Sequence, residues 1–309
     1  MKSSSKNRAP VLTLVLLLSI VLITFGLAPL IVRYATDVEP MVLASLRTGF
    51  SALFLFPFWL YKRKNSGEDV KPTGHKGLLL LAGLALGLHF TLWISSLHYT
   101  SVASATVLAT IHPVLLIVLE KVIFKRHFRP LVWIGVLGAF AGSALLAISN
   151  DTQGGLFPDA WLGNLFAFAA AICFVLYFLL GNRIRQQTAW IDYVFYVYSS
   201  AALTCLVLTL FWVGASPAIS GTAVLAGVLL AVGPTILGHG SMNYVVKYVS
   251  PTLLSTVILM EVVIAALGAW LLFGEVPGIR SLLAMAIIIG GVALTWAQRR
   301  NGGREEPVL

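Results

Sequence analysis

One carboxylate, Glu261, lies near the middle of a long apolar stretch that runs from residue 248 to residue 275. A charge at the centre of a helix that crosses a membrane costs about 2.5 to 3.5 kcal/mol when nothing pairs with it. The group must therefore be paired, protonated or reached by water. A carboxyl group in that position can take up and release a proton, so Glu261 marks a candidate functional site.

The stretch around Glu261 has an earlier copy in the chain. YTSVASATVLATIHPV begins at Tyr99 and YVSPTLLSTVILMEVV begins at Tyr248, an offset of 149 residues. The same offset places His112 on Glu261 without any gap. A constant offset over nearly fifty residues indicates a duplicated half. The residue that corresponds to the buried carboxylate is thus a histidine.

The composition indicates an integral membrane protein. Hydrophobic residues make up 58% of the 309 residues and charged residues 11%, whereas about 25% of a soluble domain is charged. Apolar runs of about 20 residues can each cross the hydrocarbon core of a bilayer as a helix. We predict an all-α protein with ten transmembrane spans: 11–32, 40–61, 77–97, 101–121, 131–149, 161–181, 191–213, 222–243, 251–273 and 281–298.

The net charge of +9 indicates orientation rather than binding to nucleic acid. With the ten spans alternating in direction, all of the 21 basic residues except Arg33, Arg47 and Arg280 fall on one side. The positive-inside rule then places both termini in the cytoplasm and the protein in the cytoplasmic (inner) membrane. Cys173 and Cys205 lie inside spans and form no spaced pair, so we expect neither a disulfide nor a metal site.

Arg47 is the basic residue that lies deepest in a span, about two turns into span 2. Its side chain can extend outward to the membrane surface. Alternatively, it faces a water-filled cavity or holds an anionic group, because guanidinium suits carboxylate or phosphate.

Two further spans carry polar side chains at helical spacing. His89, Trp93 and Ser96 share one face of span 3, and this stripe either lines a cavity or includes a histidine bonded to a backbone carbonyl. Gly233-Pro234 interrupts span 8, and Thr235, His239 and Asn243 follow at intervals of four residues. Polar groups aligned in this way are wasteful against lipid, so we expect His239 and Asn243 to face a cavity.

Proline and tyrosine add three expectations. Pro113 follows His112 directly, so span 4 should bend where the histidine projects. Tyr177 in span 6 and Tyr196 in span 7 are deep enough to line a cavity. The alternative for both tyrosines is the aromatic belt at the membrane surface.

Five spans in each half have a consequence for symmetry. Because five is odd, equivalent helices must cross the membrane in opposite directions, which makes the halves inverted repeats around a central site. His112 and Glu261 should then approach the same cavity from related helices. Two inverted halves favour a carrier over a channel, since the sequence contains no selectivity-filter motif. Alternatively, His112 and Glu261 are a paired contact that only pins two helices together.

The repeated segments, together with LLFGE at 271–275, resemble the two EamA repeats of the drug/metabolite transporter superfamily. The resemblance implies a first repeat at 11–149, a second at 161–298 and a cytoplasmic tail at 299–309. It also implies a central cavity lined mostly by spans 1 to 4 and 6 to 9. Spans 5 and 10 would be set apart as a scaffold or as the contact of a homodimer.

The main hypothesis is a secondary transporter that moves a small organic metabolite, amino-acid-like or drug-like, outward by alternating access. Its partners would be the solute, the lipid bilayer and a coupling proton carried by Glu261, with no cofactor. The alternatives are an uncoupled facilitator or exchanger and, from another class, a membrane-embedded enzyme. The enzyme would need a motif such as HExxH or GxSxG, which the sequence lacks, so we name no catalytic residue.

Overall fold

The computed structural model describes residues 10–65, 76–100, 102–123, 125–150, 158–273 and 276–301, and within these ranges the chain is helical without strands. Gly274 and Glu275 of the LLFGE segment and most of the predicted tail lie outside the described residues. The α-helices are α1 Val11–Tyr34, α2 Pro40–Asn65, α3 Lys76–Tyr99, α4 Val102–Ala109, α5 His112–Val122, α6 Pro130–Asn150, α7 Ala160–Arg185, α8 Trp190–Trp212, α9 Gly221–Leu230, α10 Gly240–Val245, α11 Pro251–Ile258, α12 Met260–Phe273 and α13 Ile279–Asn301. A π-helix, Ala231–His239, joins α9 to α10.

The described chain contains helices suited to a membrane. Nine segments of it are long and apolar enough to cross a bilayer, and α6, with an apolar stretch at Pro130–Leu146, is a tenth apolar helix. Large apolar side chains such as Phe58, Phe211 and Leu271 are more than half exposed. Such surface is unfavourable in water but suits lipid. The prediction of an all-α membrane protein is confirmed, and α6 contains the fifth span predicted at 131–149.

Hydrogen bonds between helix ends show that neighbouring helices run antiparallel. Ser45 near the start of α2 bonds to Thr209 near the end of α8, with 2.8 Å between the hydroxyl oxygens. At the other end of this pair, Lys62 Nζ lies 3.0 Å from Asp192 Oδ2. We call the end with Lys62 the basic end, because α2 finishes there with three basic residues. The other end, which holds Tyr34 at the end of α1, is called the opposite end.

The fourth and ninth spans are both broken near their centres. α4 and α5 meet at residues 110–111, so the bend predicted at His112-Pro113 is confirmed. α11 and α12 meet at Leu259, and the offset between α4 and α11 is 149 residues at both ends, from 102 to 251 and from 109 to 258. The second break has no proline. Ser255 and Thr256 instead donate to the carbonyl oxygen of Thr252, and such back-bonding bends helices.

The interruption predicted at Gly233-Pro234 is also confirmed, in the form of the π-helix. Proline has no N–H to donate, so the helix cannot keep its regular bonding there. The Thr235 hydroxyl donates to the carbonyl oxygen of Leu230 at 3.0 Å. That bond satisfies a backbone acceptor beside the break. The i→i+5 geometry also changes which side chains share a face.

α6 and α13 form a closely packed pair within the chain. A Cβ atom at Gly291 would lie 2.6 Å from the backbone nitrogen of Ala139 and 2.6 Å from the backbone oxygen of Gly135. The pairing agrees with the scaffold role that the resemblance implies for spans 5 and 10. A contact between two copies of the protein through these helices stays a prediction.

Gly291→Ala should therefore destabilise the protein, whereas Gly290→Ala should not. A Cβ atom at Gly290 meets nothing within 4 Å. Overpacking against backbone typically costs about 1 to 3 kcal/mol, and alanine is otherwise better than glycine in a helix by about 1 kcal/mol. In detergent, the midpoint of thermal unfolding should fall by roughly a few °C for Gly291→Ala alone. Equal midpoints for the two variants would contradict the close approach of α6 and α13.

Candidate functional site

A cavity lies between the helices in the half of the molecule toward the opposite end. About 640 Å³ of space there is filled by no atom, a figure that includes open space at the mouth of the cavity. Side chains from α1, α2, α3, α4, α5, α7, the π-helix, α11 and α12 line it. Flat apolar rings cover much of the wall, namely Phe25, Phe90, Trp93 and Phe174.

α8, which is the predicted span 7, contributes no residue to this lining. The resemblance had implied that span 7 would help to line the cavity. Its helix packs behind α3, because Gly83 and Gly87 of α3 have no side chains. A Cβ atom at Gly83 would lie 2.3 Å from Cβ of Ser200, and one at Gly87 would lie 2.8 Å from Cβ of Thr204. α3 therefore separates this part of α8 from the cavity.

The structure brings together six of the nine site residues predicted from the sequence. The six that line the cavity are Arg47, His89, Trp93, His112, His239 and Glu261. The three that do not line it are Tyr177, Tyr196 and Asn243. A role in binding or coupling stays a prediction for each of the six.

Glu261 is half-buried at the first turn of α12. α1 passes close to its backbone, since a Cβ atom at Gly26 would lie 3.1 Å from the carbonyl oxygen of Glu261. Within the described part of the chain, the carboxyl group forms no hydrogen bond or ion pair with another side chain. Its partner must therefore be a proton, water or a solute in the cavity.

His112 begins α5 and is 3% exposed. Its ring centroid lies 4.7 Å from that of Phe174. Nδ1 of the ring is buried and has no hydrogen-bond partner among the described residues. No hydrogen bond joins His112 to Glu261 among the described residues, so the structure gives no support to the alternative in which the two pin helices together as a bonded pair.

His89 combines both interpretations of the stripe in span 3. The ring lines the cavity, and Nδ1 lies 2.9 Å from the carbonyl oxygen of Ala170. Because a carbonyl oxygen only accepts, Nδ1 carries the hydrogen in this contact. In the neutral ring, Nε2 is then left as an acceptor.

His239 lies on the π-helix among aromatic rings. Its centroid is 4.6 Å from that of Phe25 and 5.0 Å from that of Phe90. The ring is 3% exposed and its Nδ1 has no hydrogen-bond partner among the described residues. The ring also lines the cavity, although this nitrogen atom itself is buried.

Arg47 does not extend to the membrane surface, so that alternative is wrong. The side chain is 2% exposed, and Nε donates to the Thr235 hydroxyl at 2.8 Å. Its Cζ atom lies 3.7 Å from the centre of the Phe90 ring. No acidic side chain of the described residues forms an ion pair with it.

Asn243 and Tyr177 form a network behind the cavity. Tyr177 Oη donates to Asn243 Oδ1 at 2.7 Å, and Asn243 Nδ2 donates to Tyr198 Oη at 3.3 Å. The prediction that Thr235, His239 and Asn243 share one cavity face is therefore wrong. The physical reason is the π-helix, in which the lining residues Pro234 and His239 are five positions apart.

Tyr196 lies away from the cavity and is 36% exposed. Its ring centroid is 5.9 Å from that of Trp59 and 5.7 Å from that of Phe195. The prediction that it lines the cavity is not supported by this position. Its partly exposed place in an aromatic cluster fits the alternative of a residue at the membrane surface.

The sequence did not predict a contact between α5 and α11 that closes the cavity on the side of the basic end. Glu120 at the end of α5 is fully buried and accepts a hydrogen bond from the backbone N–H of Thr252 in α11 at 3.2 Å. Arg126 Nη1 lies 3.1 Å from the same carboxylate. We call Glu120, Arg126 and Thr252 the closing contact. α5 thus packs against α11, whereas the equivalent helices α4 and α12 pack little against each other in the described chain.

These features define a class of protein: a multi-pass helical membrane protein with a cavity between its helices that ionisable side chains help to line, as expected of a membrane transporter. The EamA-like transporter family model matches residues 12–148 and again residues 161–297. The chain belongs to the EamA-like transporter family, within the drug/metabolite transporter superfamily, so the resemblance is confirmed.

Individual proteins show the same relationship. The chain is 25% identical over 261 residues to the uncharacterized transporter YdfC of Bacillus subtilis (strain 168), which covers 84% of this chain and 81% of that protein. It is 24% identical over 272 residues to the S-adenosylmethionine uptake transporter of Rickettsia prowazekii (strain Madrid E), with 87% of each chain covered. A solved structure described only as "Crystal structure of protein" shares the fold with a TM-score of 0.76 at 21% identity, over 96% of this chain and 100% of that one.

Proposed function

We propose that this membrane transporter is a secondary active carrier that moves a small organic metabolite by alternating access. The observation that carries the proposal is the cavity, which contains ionisable side chains and is closed below by the packing of α5 on α11. Sites for small organic molecules have this form: a concave, mostly apolar wall with a few polar groups.

We infer that the halves are inverted repeats with both termini in the cytoplasm. The breaks at one constant offset and the odd number of spans in each half support the inversion. The excess of basic residues at the basic end supports this orientation, which also places the protein in the cytoplasmic membrane and turns the cavity outward.

Alternating access follows from the unequal packing of equivalent helices. In the structure α5 packs on α11, while α4 and α12 pack little against each other. In the other state of the cycle, we expect α4 to close on α12 and α5 to separate from α11. The cavity would then face the cytoplasm.

We propose that Glu261 couples this cycle to protons. The carboxyl group faces the cavity and has no partner among the described side chains, so it can hold a proton in one state and release it in the other. An inward proton gradient would then drive the solute outward by exchange. Relatives named S-adenosylmethionine uptake transporters make inward movement the alternative direction.

The test is transport by the purified protein in proteoliposomes. The solutes are radiolabelled S-adenosylmethionine and a panel of amino acids, loaded inside or supplied outside, with and without a pH gradient. We expect accumulation against the solute gradient when the pH gradient is present, and empty liposomes are the control. Equilibration that ignores pH would identify an uncoupled facilitator or exchanger, and a chemically altered solute would identify an enzyme. Absence of movement for every solute that binds would contradict the proposal.

A further inference from the structure

We propose that Arg47 is an anion subsite of the cavity, which binds the carboxylate of a zwitterionic solute whose cationic group faces Glu261. This inference rests on the proposed function, because it names the class of solute that the transporter carries. Three observations support it: the guanidinium group of Arg47 is fixed by its neighbours, it has no counterion among the described residues, and Glu261 lines the same cavity.

The guanidinium group of Arg47 is fixed in place on two sides. Nε donates to the Thr235 hydroxyl at 2.8 Å, and that hydroxyl is itself oriented, because it donates to the carbonyl oxygen of Leu230 at 3.0 Å. The Phe90 ring covers one face of the group at 3.7 Å. A side chain held in this way loses little further entropy when it binds a ligand.

Arg47 also lacks a counterion. A guanidinium group stays charged in proteins, and a buried charge without a partner is unfavourable. Nε is occupied by Thr235, while the two terminal nitrogen atoms have no hydrogen-bond partner among the described residues. Two parallel N–H groups of this kind match the two oxygen atoms of a carboxylate.

Glu261 supplies the second pole of the cavity. It lies on α12 and Arg47 on α2, and the two groups line the same cavity without forming an ion pair. A solute that carries both an anionic and a cationic group can satisfy both side chains at once. A phosphate dianion would add negative charge near Glu261, and a neutral sugar would leave both side chains unpaired, so a zwitterion suits the cavity best.

The remaining walls fit the rest of such a solute. Trp93 is only partly buried in the cavity wall and offers flat apolar surface on which an aromatic or purine group can stack. The rings of His112 and His239 also line the cavity and add polar edges to this mostly aromatic wall. The solute class is therefore an amino-acid-type zwitterion with a planar side group.

The position of Glu261 also gives a physical reason why the transporter would exchange the solute for a proton. Glu261 can hold a proton or accept the cationic group of the solute, but it cannot do both fully at the same time. Binding of the zwitterion would then favour release of the proton. Competition for one carboxylate is sufficient to couple the two movements in opposite directions.

The experiment measures binding of matched ligands to the purified full-length protein by isothermal titration calorimetry. One set is S-adenosylmethionine and its decarboxylated analogue. The other is L-tryptophan, tryptamine, which lacks the carboxylate, and indole-3-propionate, which lacks the amino group. For each zwitterion that binds, we expect loss of the carboxylate to weaken binding by roughly 10- to 100-fold in the wild type, as for a charged hydrogen bond.

The variants assign this loss to Arg47. In Arg47→Gln the zwitterion and its carboxylate-free analogue should bind equally weakly, and Arg47→Lys should restore part of the difference. Arg33→Gln at the exposed end of α1 is the matched control and should behave as the wild type. Because the comparison of ligands uses the wild type, the test does not depend on the folding of any variant.

Two results would overturn the subsite. One is equal binding of a zwitterion and its carboxylate-free analogue to the wild type; the other is binding of amines or neutral solutes when no zwitterion binds. Transport of those other solutes in proteoliposomes would leave the proposed function standing. Conversely, a zwitterion that binds through Arg47 but never crosses the bilayer would support the subsite and contradict the transporter.

Discussion

Replacement of Glu261 by glutamine should abolish the part of transport that depends on a pH gradient. Glutamine has nearly the same shape as a protonated glutamate, so the packing of α1 against α12 at Gly26 is kept. The amide cannot release a proton, and the cavity loses its acidic pole. In proteoliposomes we expect accumulation against the solute gradient to disappear, while slow equilibration or solute exchange can persist.

Stability separates this role from a structural one. Within the described residues, Glu261 forms no ion pair that the substitution would break, so the midpoint of thermal unfolding should stay the same or rise. Glu39→Gln is the matched control, since Glu39 is an exposed carboxylate just before α2. Glu39→Gln should leave transport unchanged. Full proton-driven accumulation by Glu261→Gln would rule out Glu261 as the proton carrier.

The second large effect is expected at the closing contact. Glu120→Gln weakens the bond to the Thr252 N–H and removes the charge that pairs with Arg126. Hydrogen bonds to charged groups contribute about 1.5 to 3 kcal/mol. The balance between the two states should therefore shift by roughly 10- to 150-fold away from the one in which α5 packs on α11.

A reporter cysteine measures this shift. Leu116 on α5 is fully buried in the apolar cluster that also contains Leu254 of α11. In a protein with Cys173→Ala, Cys205→Ala and Leu116→Cys, we expect a membrane-impermeant maleimide to label the cysteine faster when Glu120→Gln is added. Lys121→Gln, an exposed change on the same helix, is the control.

An unchanged labelling rate in Glu120→Gln would mean that the closing contact does not hold this end shut. Arg126→Gln provides an independent check, because it removes the same ion pair from its partly exposed side. It should accelerate labelling in the same direction and by a smaller factor. Faster labelling in the Lys121→Gln control as well would indicate general loosening of α5 rather than opening.

Much of the architecture could be predicted from the sequence, because it depends on local features. Apolar runs set the spans, the repeat at 149 residues related His112 to Glu261, and Pro113 and Pro234 marked two interruptions. Each of these features can be recognised from short stretches of the sequence, without knowing which helices contact each other. Composition and backbone chemistry are enough to interpret them.

Features that depend on contacts between distant helices could not be predicted in the same way. The partners of Arg47 come from α3 and the π-helix, and the closing contact joins residues 132 positions apart. The face predicted for Asn243 was wrong because regular helical spacing was assumed from Thr235 onward, whereas the π-helix continues to His239. Tyr196 lies well inside its span in the sequence. Whether it faces the cavity depends on the packing of α8 behind α3, which the sequence does not show.

The broken fourth and ninth spans have a consequence for how duplicated genes diverge. Both copies have the break at the same place. The first copy has Pro113 there as well as a hydroxyl group, on Thr110, that bonds back to Thr106, whereas the second has no proline and only hydroxyl groups that bond back to Thr252. The inherited trait is the shape of the backbone, and the residues that produce it can be exchanged. A sequence search that looks for proline alone would therefore find the helix break in the first repeat and miss the equivalent break in the second.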